Sequence, residues 1–130
     1  MLQLAHKARI LSEAEEQIQV VEYCELKGIP IYHIPNERKC SAKAGARLKA
    51  QGVKAGVPDL CIPIPNDKYH ALYIEMKAKG GKITNQQKQW IELLRSNGNL
   101  AVVCYGAKNA IALIELYLEN QVELVTSEEN

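Results

Sequence analysis

Asp59, Glu75 and Lys77 are the residues of this 130-residue chain whose types and spacing can do chemistry. Asp59 closes Val57-Pro58-Asp59, and Glu75 and Lys77 stand two apart in Tyr73-Ile74-Glu75-Met76-Lys77. In a strand, side chains alternate faces, so Glu75 and Lys77 point to one side while Ile74 and Met76 point to the other. If Asp59 sits at a bend of the neighbouring strand, two carboxylates can hold a hard divalent cation through oxygen, with an ammonium beside them. Such a group can activate water against a phosphodiester.

The elements that must bring these residues together can be read from local signals. Ser12-Glu13-Ala14-Glu15 has the form of a capping box and opens a helix from about Ser12 to Lys27, with Ile18, Val21 and Cys24 on one side and Gly28 at its end. A short strand follows over 29–34, with Pro30 at its start or edge. Ser41 to Gln51 can form a short helix within a Lys-, Ala- and Gly-rich stretch. Leu60-Cys61-Ile62-Pro63-Ile64 and Ala71-Leu72-Tyr73-Ile74-Glu75-Met76 read as strands of a hairpin, joined through the turn-forming Pro65-Asn66-Asp67-Lys68. Thr84-Asn85-Gln86-Gln87 is a second capping box, starting a helix that runs through Trp90, Leu93 and Leu94 to Asn97-Gly98. Leu100 to Tyr105 forms a buried strand, and an apolar-periodic helix runs from about Ala107 to Leu118. A strand-helix-strand crossover within this order requires a partly parallel sheet, so the fold class is α/β with a mixed sheet of about four strands flanked by helices.

At this length one domain is expected over 1–130, with its core over about 12–118 and an acidic tail over about 119–130. Hydrophobic residues at 47% and charged residues at 24% are ordinary for a soluble globular protein. No apolar run approaches the roughly 20 residues of a membrane helix, and the start of the chain does not read as a secretory signal, so a cytoplasmic, non-membrane protein is expected. Cys24, Cys40, Cys61 and Cys104 are too scattered for a zinc site and read as reduced thiols, and His6, His33 and His70 are equally dispersed. The net charge of +1 hides a segregated pattern. Arg38, Lys39, Lys43, Arg47, Lys49 and Lys54 follow one another with no acid among them, whereas beyond Lys108 the charged residues are all glutamates. A basic surface and an acidic tail follow.

Gly52-Val53-Lys54-Ala55-Gly56-Val57-Pro58-Asp59, Glu75-x-Lys77, Thr84-x-x-Gln87 and Gly98 together resemble the VRR-NUC nucleases of the PD-(D/E)xK superfamily. The likeness extends from Ser12 to Leu118 and includes the order of elements. It implies a restriction-endonuclease-like core, with Asp59 and Glu75 as carboxylate ligands of Mg²⁺ or Mn²⁺, the Met76 carbonyl as a further ligand and Lys77 as the catalytic lysine. A first-helix glutamate is also implied near the metal. Glu16 is the first choice and Glu13 the second, because residues three apart share a helix face and the capping box occupies Glu15. Gln87 matches a family glutamine able to reach the phosphate or the metal-bound water, although its capping position alone would account for it. Asn36, in Ile34-Pro35-Asn36, resembles a family position near the site, or a turn residue.

Lys43, Arg47, Lys49 and Lys54 are the candidates for DNA-backbone contact, which gives affinity without reading sequence. The implied activity is a metal-dependent, structure-selective DNA endonuclease. Free-standing members resemble Holliday-junction resolvases and are associated with phage or prophage replication and repair. Cutting two opposed strands of a junction calls for two sites, hence a homodimer, for which Leu116, Leu118, Val122 and Leu124 are surface candidates. Flap or splayed-arm cleavage, a restriction-like activity on duplex DNA and a non-catalytic DNA-binding module are the alternatives.

Overall fold

The computed structural model describes residues 9–36 and 41–123. Within these, helix α1 (Glu13–Lys27) starts where the Ser12 hydroxyl accepts from the Glu15 backbone N–H at 3.1 Å. The Glu15 carboxylate meets Arg9 at 2.7 Å, an exposed pair that draws its pKa below the usual carboxylate range through the hydrogen bond from Arg9. Strand β1 is only Tyr32–His33, shorter than the expected 29–34. Pro30 and Pro35 bracket it, and neither has an N–H to give a ladder. Helix α2 (Ala42–Ala50) is capped by Ser41. Strand β2 (Leu60–Ile62) stops at Pro63 for the same reason that β1 is short. Strand β3 (Leu72–Lys77), helix α3 (Asn85–Ser96), strand β4 (Leu100–Tyr105) and helix α4 (Ala107–Leu118) complete the order. The Thr84 capping box is present in both directions.

The strands form one sheet in the order β1-β2-β3-β4, antiparallel across the first two junctions and parallel between β3 and β4. The β2–β3 hairpin is therefore present, and α3 is the crossover that a parallel neighbour demands. The expected α/β class with a mixed four-stranded sheet is the class found.

The alternation of side chains sorts the two faces. Leu60, Ile62, Leu72, Ile74, Met76, Leu100, Val102 and Cys104 join Val20 and Cys24 of α1 and Ala107, Ala110, Ile114 and Tyr117 of α4 in the main core. The other face carries Cys61, Tyr73, Glu75, Lys77 and Ala101, with α3 against β4 and Ile91 buried there. Cys24, Cys61 and Cys104 are free and buried, as expected of thiols used as small apolar groups.

Of the dimer-surface candidates, Val122 is buried in the core and Leu118 packs against it, so neither offers a free surface; Leu116 is exposed. Leu124, Arg38, Lys39 and Cys40 lie outside the described residues. No helix among the described residues is long and apolar enough to cross a membrane.

Candidate active site

Asp59 immediately precedes β2, and because Leu60 pairs with Ile74, it stands beside Glu75. Its Oδ2 accepts from the Met76 N–H at 2.8 Å, which holds the carboxylate against β3. Its backbone carbonyl accepts from the Ile34 N–H and from His33 Nδ1, each at 2.8 Å. The same ring nitrogen lies 3.1 Å from the Gln17 amide nitrogen, which sets α1 beside the histidine that meets the Asp59 backbone. Gln17 had no assigned role in the sequence, and His33 stood there only as one of three dispersed histidines. The signal for Gln17 was its place one turn after Glu13, on the same helix face.

The approach to Asp59 depends on Gly56. Its φ is 92°, and a Cβ there would stand 2.6 Å from the Gln86 carbonyl carbon. The Gly56–Asp59 segment thereby lies directly on the first turn of α3, a contact that only glycine permits. Asn36 holds the same segment from the other side, its Nδ2 donating to the Val57 carbonyl at 2.9 Å.

Glu75 is 1% exposed. Its Oε2 accepts from Gln87 Nε2 at 3.2 Å and lies 3.7 Å from the Lys77 ammonium, itself buried. Its Oε1 is buried with no hydrogen-bond partner. Burial, followed by the charge of Asp59, pushes the Glu75 pKa up to about 8 against the opposing pull of Lys77. A buried carboxylate oxygen without a partner is costly unless something cationic or protic meets it. One carboxylate oxygen from each of Glu13, Asp59 and Glu75 lies within 4.8 Å of the others, so the residue with the orphaned oxygen belongs to a cluster of three hard donors. Such a cluster fits a divalent cation that prefers oxygen ligands.

The first-helix glutamate in this cluster is Glu13, and the order of preference between Glu16 and Glu13 is therefore reversed. Glu16 is engaged elsewhere, its Oε2 accepting from the Ala107 N–H at 2.5 Å. Gly106, the N-cap residue of α4, has no side chain to cap the helix, and φ of 88° suits glycine there. A carboxylate from α1 takes over the task, favoured by the positive end of the helix dipole. Glu15 is committed to Arg9.

Gln87 performs the capping role considered for it and also contacts the acidic cluster. Its Oε1 accepts from the Thr84 N–H at 2.9 Å, completing the cap, and its Nε2 donates to Glu75. Lys43, Arg47, Lys49 and Lys54 are exposed on α2 and the loop after it, which leads to Gly56.

A mixed sheet carrying three clustered carboxylates, with a buried lysine beside them at the end of the antiparallel hairpin, is an arrangement that could hold a metal ion. Residues 11–108 match the family model for the VRR-NUC domain. A solved structure, a VRR_NUC domain protein, is 34% identical, with a TM-score of 0.74 over 91% of this chain and 100% of that chain. This chain belongs to the VRR-NUC domain family, a family of nucleases acting on DNA. No curated protein matches it.

Proposed function

We propose that the protein is a Mg²⁺- or Mn²⁺-dependent, structure-selective DNA endonuclease, resolvase-like toward Holliday junctions, serving phage or prophage DNA replication or repair in the cytoplasm. The observation that carries this reading is the convergence of Glu13, Asp59 and Glu75 within 4.8 Å, together with the buried Glu75 oxygen that has no partner. Residues 12–118 form the catalytic core of a single domain in this reading, and a homodimer supplies the second site that a two-fold junction requires.

Glu13, Asp59 and Glu75 would hold the cation, with the Met76 carbonyl as a further ligand. When bound, the cation supplies Lewis-acid polarisation of the phosphate and a lowered pKa for water. Lys77 places an ammonium next to Glu75 from the same face of β3, where it orients the attacking water or neutralises charge growing on the phosphate. Gln87 fixes the Glu75 carboxylate through its amide N–H, which makes it a positioning residue in this scheme. Asn36 and Gly56 set the path of the segment that delivers Asp59. Lys43, Arg47, Lys49 and Lys54 meet the DNA backbone on the approach, so recognition rests on shape more than on base sequence.

Cleavage of matched junction, splayed-arm, flap and linear duplex substrates with Mg²⁺ or Mn²⁺, alongside a solution mass measurement, tests this. Preferred junction cutting by a dimer supports it. A monomer that prefers flaps or splayed arms replaces the resolvase reading, and binding of DNA without metal or cleavage would leave only a non-catalytic module.

A further inference from the structure

The sheet face that carries Glu75 and Lys77 continues beyond them. One row along, on the same face, the directly paired residues are Tyr32, Cys61, Tyr73 and Ala101. Cys61 lies two residues after Asp59 and Tyr73 two before Glu75, so this row flanks the acidic row. Tyr32, on the edge strand, is 50% exposed, whereas Cys61 between the two tyrosines is 1% exposed. The Tyr32 hydroxyl is drawn to the Cys61 thiol, which with burial pushes its pKa up to about 12 and keeps it a neutral phenol. The exposed Tyr32 and the half-buried Tyr73 thus stand on one face next to the acidic cluster, while α3 packs mainly against β4 on this face.

We propose that Tyr32 and Tyr73 form a stacking floor for one unpaired nucleobase next to the scissile phosphate. The inference rests on the nuclease reading and sharpens its substrate class to DNA with an unstacked nucleotide at the cut. Two residues along a strand cover roughly 6.6 Å. A DNA strand that places its phosphate at the acidic row can lay an adjoining base over the tyrosine row only if that base has left its own stack, because the ring takes the place of the neighbouring base. Tyrosine suits this base because stacking on an aromatic face tolerates any base identity. Intact duplex cannot present such a base without melting, whereas branch points and splayed arms can.

The test uses the full chain and a splayed-arm DNA in which a single abasic nucleotide is moved stepwise through positions on both sides of the cut. Cleavage is followed with Mg²⁺ and binding with Ca²⁺. One position next to the cut is expected at which loss of the base lowers kcat/KM and affinity by about tenfold, near the low end of aromatic–base stacking. Tyr32→Leu should bring the ratio between base-bearing and abasic substrates close to one, and Tyr32→Phe should keep it. Cleavage with no base-dependent position, or a dependence that survives Tyr32→Leu, overturns the stacking floor and leaves the nuclease reading standing. Base-dependent binding without any cleavage overturns the nuclease reading and keeps the floor. If neither is found, both fall.

Discussion

The Gln87 amide serves the α3 cap with its oxygen and the Glu75 carboxylate with its nitrogen, at 2.9 and 3.2 Å. The orientation follows from chemistry, since only the oxygen can accept from the Thr84 N–H. Helix start and acidic cluster are thereby one unit. Gln87→Ala should lower cleavage on the order of 10- to 100-fold, as loss of a group that orients a ligand does, with DNA affinity in Ca²⁺ retained. Thr84→Ala removes the other half of the cap and should cost about 1 kcal/mol of stability, with a smaller effect on cleavage. Equal loss of cleavage in the two variants would show that Gln87 acts only through the cap.

Lys77 is buried beside Glu75 at 3.7 Å. Lys77→Met keeps the stem and removes the ammonium. Cleavage should drop by on the order of a hundredfold or more, while DNA binding in Ca²⁺ persists. A variant that cleaves at near the parent rate would remove Lys77 from the chemistry.

The two first-helix glutamates should separate cleanly. Glu13→Gln removes a charge from the acidic cluster and should weaken Mn²⁺ binding with little change in thermal stability. Glu16→Ala uncaps α4 and should cost about 1 kcal/mol, with Mn²⁺ binding retained. Calorimetric titration and thermal melts on the pair check this, and an exchange of the two phenotypes would restore Glu16 to the cluster.

Glu75 links the metal-free fold to pH. Its carboxyl titrates near 8 in the folded protein, above its ordinary value of 4.5, so the fold favours the protonated form. Its contribution to stability is therefore complete below the ordinary value and is lost as pH rises toward 8. The metal-free melting temperature should fall across that window, and Glu75→Gln should flatten this part of the curve. Cation binding near pH 7 should release a proton, visible as a binding enthalpy that changes with the ionisation enthalpy of the buffer. A buffer-independent enthalpy would contradict it.

Gly56→Ala should be poorly tolerated. Its Cβ would meet the Gln86 backbone at 2.6 Å, at a φ of 92°. The strain alone costs on the order of 1–3 kcal/mol, and relief requires moving either the Asp59 segment or the first turn of α3. Melting temperature and Mn²⁺ affinity should fall together. A loss of stability with unchanged metal affinity would show that Asp59 keeps its place regardless.

Much of the fold was legible because the signals are local. The Thr84 capping box and the limits of β4 and α4 depend on neighbours in sequence and were found where expected, and the hairpin expected over Leu60–Ile64 and Ala71–Met76 is present with strands Leu60–Ile62 and Leu72–Lys77. So was the division of β3, with Glu75 and Lys77 opposite Ile74 and Met76, since strand geometry alone imposes it. The strands next to Pro30, Pro35 and Pro63 came out shorter because pairing, and not apolar content, sets strand length.

The sequence by itself determined the types of chemical group, the face of β3 that bears them and the helix start that holds Gln87. Only the tertiary structure decided that Glu13 joins Asp59 and Glu75 while Glu16 caps α4, and that Gly56 must lie bare against Gln86. Glu13 and Glu16 lie on nearly the same helix face, and which carboxylate reaches which partner depends on how α1 docks against β3 and α4. Docking is set by packing between residues far apart in the chain, so no local pattern encodes it.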